Sequence, residues 1–421
     1  MIKYISISEA MKRGKGKVAL RGWVYRERGS NKMKFVVLRD STNIIQCILK
    51  KEDFEKEWKE IDGLKIESSV ELEGEIKKDE RAPTGYEISV DKFNLVHLAE
   101  DYPINKDVNE ELLGDRRHLW LRSRKMTASM KIRSTVLFGL HECAHKLGFT
   151  EIQAPSMSGA ASEGGSEVFE VGYFGKKAYM TQSWQFYAEN FISAVEKAYS
   201  IAPSFRAEKS KTPWHVTEFW HFELEGAWMN LKDDMDVAEE CVVYVIKKVL
   251  EDCKDELKLL KLELKVPEAK YLKYSEAIEL LNKNGFSMKD GDDFEPEAER
   301  KLCELFPDTI VFTYEWPVSI KPFYIWPKTE KVSGGFDALY GGLEISSGGQ
   351  RVHVPEILIK QLKSKGLNPE DFKWYVDAFR YGTPRHSGWS IGLERLSQAM
   401  MKVDNIREVT LFPRDRKRLT P

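Results

Sequence analysis

Phe205-Arg206-Ala207-Glu208, a short polar turn, then His215-Val216-Thr217-Glu218-Phe219-Trp220-His221-Phe222-Glu223-Leu224-Glu225: the rest of the chain is read outward from this stretch. The return segment is aromatic-rich and β-compatible, and Pro213 falls in the turn between Lys209 and Trp214, so the spacing predicts a hairpin. Side chains alternate along a strand, which puts Phe219, His221, Glu223 and Glu225 on one face and Trp220, Phe222, Leu224 and Gly226 on the other. The second face is apolar and suits burial. The first joins a ring to carboxylates, a poor core and a good floor for a ligand bearing phosphate, a flat base and an amine. An ordinary amphipathic hairpin has the same pattern, so the hairpin does not decide function by itself.

Upstream, Met130, Ile132, Val136, Leu137, Leu140 and Ala144 recur at helical spacing and predict a helix over Lys125–Lys146, with Gly148 suited to its C-terminal cap. Thr150 to Pro155 then reads as an edge strand ending in proline. Glu163-Gly164-Gly165-Ser166 reads as a mobile loop, either a lid or a plain surface turn. Tyr179 to Gln185 reads as a strand entering a helix, with Gln182, Ser183 and Gln185 clustered at the helix start.

Downstream, Asp233–Lys265 reads as one or two scaffold helices and Tyr274–Gly285 as another, and the aspartates from Asp290 lack the spacing of a calcium loop. Strands are expected at Thr309–Tyr314, Lys321–Ile325, Phe336–Tyr340 and Leu343–Ser347. Asp337, Glu344 and Ser347 are oxygen donors of the kind magnesium takes when it also holds phosphate. Arg351 follows glycines that let backbone approach a ligand. Gly388–Leu396 reads as strand, turn and helix, with Arg395 in the first helical turn, where it opposes the helix dipole. Neither the dinucleotide fingerprint nor the P-loop occurs.

The first hundred residues alternate as short strands: Val18–Val24, Lys34–Asp40, Ile44–Leu49, Ser69–Gly74 and Tyr86–Val90, with a helix-like stretch over Glu52–Asp62. This suggests a small barrel of the oligonucleotide-binding type. Arg26, Arg28, Lys32 and Lys34 crowd the first hairpin beside Tyr25 and Phe35, as in single-strand stacking platforms, although a solvated hairpin face has the same composition. Residues 1–100 are thus the expected barrel domain, 101–124 a hinge, and 125–421 the large domain.

The chain has 421 residues, enough for two or three domains. Sixty-five basic against 67 acidic residues leave a net charge of −2, so a polyanion partner must be met by a local patch. Five scattered cysteines, no close pair among them, argue against a zinc knuckle or a disulfide framework and fit a cytoplasmic protein. No apolar run reaches membrane-spanning length and no signal peptide precedes Met1-Ile2-Lys3-Tyr4.

Three pieces stand in order: a helix shortly before Pro155, Phe-Arg-Ala-Glu with its Glu-Phe return, and Gly392-Leu393-Glu394-Arg395-Leu396. Together they resemble the three signatures of class II aminoacyl-tRNA synthetases. With the barrel, nearly the whole chain, through Leu411–Pro421, resembles the archaeal-type aspartyl and asparaginyl enzymes. The resemblance implies an α+β fold, with a five-stranded anticodon-binding barrel joined to a catalytic domain on an antiparallel sheet flanked by helices. It implies homodimerisation with Pro155 at the interface, ATP and tRNA as substrates, and Mg2+. It implies Arg206 on the α-phosphate, Phe219 and Arg395 around adenine, Glu208 and Glu218 near ATP, and His215 on the outer phosphates. Glu344 and Ser347, with Asp337, would bind metal; Arg206, Glu344 and Arg395 would be catalytic. Glu163, Ser183 and Gln185 would hold the amino group, with Ser347 also at the amino acid and Arg351 at its side-chain end. Phe35, Gln46 and Arg28 would meet anticodon bases.

Aspartate and asparagine differ by one charge. Aspartyl enzymes of this type carry a lysine where this chain has Ala188, and an aspartate where it has Glu223. Both departures favour asparagine, since a second carboxylate beside Glu223 meets like charge. Phe336–Tyr340, Ser346–Arg351 and the C-terminal run look aspartyl instead, and Ser390 and Trp184 depart from the common pattern. An aspartyl enzyme, strict or relaxed, and a paralogue that forms adenylate without charging tRNA are the alternatives.

Overall fold

The computed structural model describes residues 3–105, 108–159, 168–207 and 212–421, so the loop around Glu163 and the segment from Glu208 to Lys211 lie outside the described residues. The chain divides into two compact units, Met1–Gly114 and Asp115–Pro421.

In the first unit, period-two alternation closes a barrel. Its strands are β1 (Gly16–Ser30), β2 (Met33–Arg39), β3 (Ile44–Lys50), β4 (Ser69–Lys78) and β5 (Tyr86–His97), in the order β1-β2-β3-β5-β4. Val18, Leu20, Val36, Leu38, Ile45, Cys47 and Leu49 point inward and pack as one core. Closure demands a sharp bend, and β4 supplies it at a register shift beside Gly74, where a Cβ would stand 2.2 Å from the Ser89 carbonyl oxygen. The helix-like stretch is a 3-10 turn at Lys51–Asp53 and a short helix at Trp58–Asp62 that buries Trp58 and Ile61.

The second unit is built on an eight-stranded sheet. Its strands are β6 (Thr150–Glu151), β10 (Lys197–Phe205), β11 (Glu218–Ala227), β12 (Glu268–Lys273), β13 (Thr309–Tyr314), β14 (Gly335–Tyr340), β15 (Leu343–Gln350) and β16 (His386–Gly392). Their order is β12-β13-β14-β15-β16-β11-β10-β6, antiparallel except at the two ends. A small separate sheet holds β7 (Met157–Ser158), β8 (Glu170–Tyr173) and β9 (Lys176–Met180).

Helices α1 (Arg124–Lys146), α3 (Leu231–Asp252) and α5 (Leu393–Met401) bury Ile132, Val136, Leu140, Val242, Val245 and Leu396 in one cluster with Phe222, Leu224, Trp389 and Ile391 of the sheet. Ser123 caps α1 by accepting from the Met126 N–H, and Asn230 caps α3 through a reciprocal box with Asp233. Gly148 follows α1 at φ +79°, the left-handed conformation that ends helices. Two shorter helices, α2 (Gln185–Val195) and α4 (Lys373–Ala378), complete the frame used below.

Two expectations are corrected. Lys321–Ile325 is not a strand: Pro322 has no N–H to give a ladder, and the chain turns so that the Ile325 N–H meets the Pro322 carbonyl at 3.2 Å. The apolar run is there because Phe323 and Tyr324 fill an aromatic cluster with Phe186 and Tyr375. Trp220 is exposed, because β16 pairs with β11 only from His221 onward and leaves Trp220 at the ragged end.

Candidate active site

The hairpin is β10 and β11, and its two faces divide as the alternation predicts. Phe222 and Leu224 are fully buried in the helix-backed core, while His221, Glu223 and Glu225 occupy the opposite face. Two adjoining recesses open on that face. One, with about 730 Å³ of open space, is bordered by Arg206, Trp214, His215, Phe219, Glu344, Glu394 and Arg395. The other, about 550 Å³, is bordered by Gln185, Glu223, Glu225, Lys321, Tyr324 and Arg351. Arg206, His221, Ser347 and Ser390 border both, so the two form one continuous site.

In the first recess the Arg206 guanidinium stands 5.5 Å from the centre of the Phe219 ring, within cation-π range. Arg395 donates to the Glu344 carbonyl at 3.0 Å and to His215 Nε2 at 3.1 Å. A guanidinium can only donate, so His215 Nε2 carries no proton and its Nδ1, 2.5 Å from Thr212 Oγ1, does. Glu394 ties three elements together: it pairs with Arg133 of α1 and accepts from the Trp220 N–H of β11 at 3.0 Å. The result is a ring-lined recess in which Arg206 and Arg395 face Glu344 and Glu394, suited to a planar base and to phosphates with a metal ion.

The second recess is lined by paired charges. Glu223 accepts from Ser183 Oγ at 2.5 Å and from the Trp184 N–H at 2.7 Å. Burial opposes its charge, but His221, Ser183 and Trp184 more than offset this and hold the carboxyl below the usual range. Arg351 meets Glu225 through Nη2 at 2.5 Å and through Nε at 3.1 Å. Burial works against that arginine too, and Glu225 and Glu189 outweigh it, leaving its pKa above the ordinary value. Gly388 makes room for the pair, since a Cβ there would lie 2.1 Å from the Glu225 carboxyl carbon.

Ser347 borders both recesses, and Glu344, about one third exposed, borders the first. Asp337 borders neither; it lies opposite Ser347 on β14 and pairs with Lys321 at 2.5 Å, while burial pushes its carboxyl up to about 7. Among the described residues no group of three or more His, Cys, Asp or Glu is arranged to hold a metal. Glu344 and Ser347 offer two oxygens, a donor set that fits magnesium only with phosphate oxygens completing its shell.

Of the other expected residues, Glu218 opens β11 opposite Phe205 and borders neither recess, and Glu163 and Glu208 fall outside the described residues. Lys321, Glu394 and Glu189 were not anticipated. Glu189 had a signal, since it follows Gln185 by four residues and shares its helix face. On the barrel, Phe35 and Gln46 share the outward face of β2 and β3, and the Arg28 guanidinium stands 5.3 Å from the Phe35 ring centre. Gln46 is buried and donates to Glu87 at 3.1 Å.

Comparison with known proteins places the chain in a family. Residues 109–416 match the family of class II tRNA synthetases (D, K and N), and residues 18–96 match the OB-fold nucleic acid binding domain. The chain belongs to the class II tRNA synthetase family and is an aminoacyl-tRNA synthetase, a ligase. It is 42% identical to the asparagine–tRNA ligase of Thermoplasma acidophilum, over 96% of each chain. It is 40% identical to the aspartate–tRNA(Asp/Asn) ligase of Methanopyrus kandleri, again over 96% of each. The crystal structure of asparaginyl-tRNA synthetase from Pyrococcus horikoshii complexed with asparaginyl-adenylate superimposes with a TM-score of 0.94, at 39% identity and full coverage of both chains.

Proposed function

We propose that this chain is an asparagine–tRNA ligase, which joins asparagine to AMP with release of diphosphate and then passes the asparaginyl group to tRNA(Asn). The observation that carries the choice of amino acid is Glu223. It is an ionised, buried acceptor bordering the second recess, and Ala188 stands in the chain where aspartyl enzymes of this type carry a lysine. A carboxylate substrate meets like charge there, whereas a side-chain amide offers N–H donors. Relatives named for asparagine support the same choice.

The chemistry needs no protein nucleophile. It needs the substrate carboxylate held in line with the α-phosphate and the developing charge neutralised. Arg206, on the boundary of both recesses, is suited to the α-phosphate. Phe219 and Arg395 are suited to the two faces of adenine, and neutral His215 to donating toward the outer phosphates by a tautomer change. Ser183 and Gln185, with Glu163, would take the amino group, and Arg351 the side-chain end. Mg2+, held by Glu344 and Ser347 with phosphate oxygens completing its shell, would supply further positive charge on the triphosphate. Phe35, Arg28 and Gln46 would contact anticodon bases from a barrel domain over 1–100, joined through a hinge over 101–124. Pro155 would sit at a homodimer interface, and the enzyme would act in the cytoplasm.

Exchange of labelled pyrophosphate into ATP, run with asparagine and with aspartate, tests this reading. Exchange with asparagine alone is expected; exchange with aspartate alone overturns it. The Methanopyrus kandleri relative favours a second reading, an aspartyl enzyme of relaxed tRNA choice, which that second outcome would select.

A further inference from the structure

Behind the second recess lies a buried cluster that none of these roles uses. Glu189 sits one turn after Gln185 on α2, and its side chain has no exposed surface. Its Oε1 accepts from Gln185 Nε2 at 2.7 Å, and its Oε2 accepts from the Tyr375 hydroxyl and from His386 Nε2, each at 2.9 Å. The other nitrogen of His386 is 2.9 Å from the Pro384 carbonyl oxygen, which can only accept. Both ring nitrogens therefore face acceptors, and His386 is an imidazolium paired with an ionised Glu189. Burial opposes both charges, yet the contact leaves Glu189 below and His386 above their ordinary pKa values.

An amide has two unlike ends. Gln185 borders the recess, and an ionised carboxylate can receive only its NH2. Turned over, the amide would set its carbonyl lone pairs against those of Glu189. We propose that Glu189, anchored by His386 and Tyr375, is a positioning residue: it takes the N–H side of Gln185 and turns the carbonyl oxygen into the recess to accept from the substrate ammonium. The proposal rests on the amino-acid activation described above and adds the residue that makes the recess read an amine.

Glu189→Gln keeps the shape and leaves both orientations of Gln185 open. Pyrophosphate exchange gives KM for asparagine and for ATP, and competitive inhibition by succinamic acid reports the same molecule without its ammonium. KM for asparagine is expected to rise about tenfold to a hundredfold, the size of one hydrogen bond to a charged group. KM for ATP and inhibition by succinamic acid are expected to stay within about threefold, because neither contact involves the ammonium. Equal weakening of asparagine and succinamic acid, or an unchanged KM for asparagine, overturns the proposal. In a Gln185→Ala background Glu189→Gln is expected to add nothing further; additive effects also overturn it. If Glu189→Gln does not fold, Tyr375→Phe removes one anchor and is expected to show the same selective rise at smaller size, an unchanged KM again being decisive against it. Were the unaltered enzyme to use aspartate instead, the substrate reading alone would fail, and succinate would replace succinamic acid in the same comparison.

Discussion

The hydroxyl of Ser183 donates to Glu223 at 2.5 Å, and the neighbouring Trp184 N–H donates to the other oxygen of the same carboxylate at 2.7 Å. The start of α2 is thereby fastened to β11 by a group that also borders the second recess. A negative charge at a helix start is favourable, so the attachment is stabilising, and the proposed role in recognition would give the same side chain a second task.

Glu223→Gln sets an NH2 group against donors that need an acceptor. The expected result is a loss of about 1–3 kcal/mol in stability, from donors left unsatisfied. KM for asparagine is expected to rise about tenfold or more as an acceptor is lost. Thermal melting and pyrophosphate exchange read the two effects, and a variant unchanged in both would refute the double role.

Arg206→Ala removes the cation shared by the two recesses. Adenylate formation is expected to fall about a hundredfold or more, the usual scale for losing a preorganised charge contact in a transition state. Far-UV circular dichroism should not change. Retained exchange activity would exclude the arginine from the α-phosphate.

The pair of His386 and Glu189 makes stability depend on pH, and other charges around it, Glu225 and Arg351, act on the same groups. His386 is raised in the folded chain above its ordinary 6.5, so its share of stability is complete below that pH and is lost as pH rises through the folded value. Glu189 is lowered below its ordinary 4.5, so its share is complete above that pH and is lost as pH falls through the folded value. The pair stabilises most between the two. Melting temperature is expected to decline above about pH 6.5, and His386→Asn should lack that part of the decline while losing about 3–5 kcal/mol through an unpaired buried carboxylate. Parallel curves for the two proteins would show that this pair does not titrate as described.

On the barrel, Phe35→Ala removes the ring beneath Arg28. One lost stacking contact, about 1–3 kcal/mol, should raise KM for tRNA about tenfold while leaving pyrophosphate exchange without tRNA as it was. A fall in exchange, or tRNA binding that does not change, would remove Phe35 from the anticodon surface.

The hairpin could be read from sequence because one face is buried, and burial enforces the period of two at Phe222 and Leu224. The flanking helices could be read for the same reason at helical spacing. Partnerships across the chain could not. Glu189 meets residues 186 and 197 positions away, and nothing local to a glutamate on an amphipathic helix announces a histidine from another strand. Lys321–Ile325 misled for a related reason: a run of β-forming residues also suits an aromatic cluster, and only Pro322 hinted at the turn. The signature residues Arg206, Phe219, Glu344 and Arg395 do share a recess, whereas Asp337 and Glu218, equally plausible in the one-dimensional pattern, lie outside its lining.

The common border of the two recesses also limits how such a chain can diverge. His221, Ser347 and Ser390 belong to both, so an exchange of any of them on β11, β15 or β16 that reshapes one recess reshapes the other as well. Helix α2 reaches only the second recess, through Gln185. Replacements along that helix therefore act on the second recess through Gln185 while leaving the lining of the first as it is.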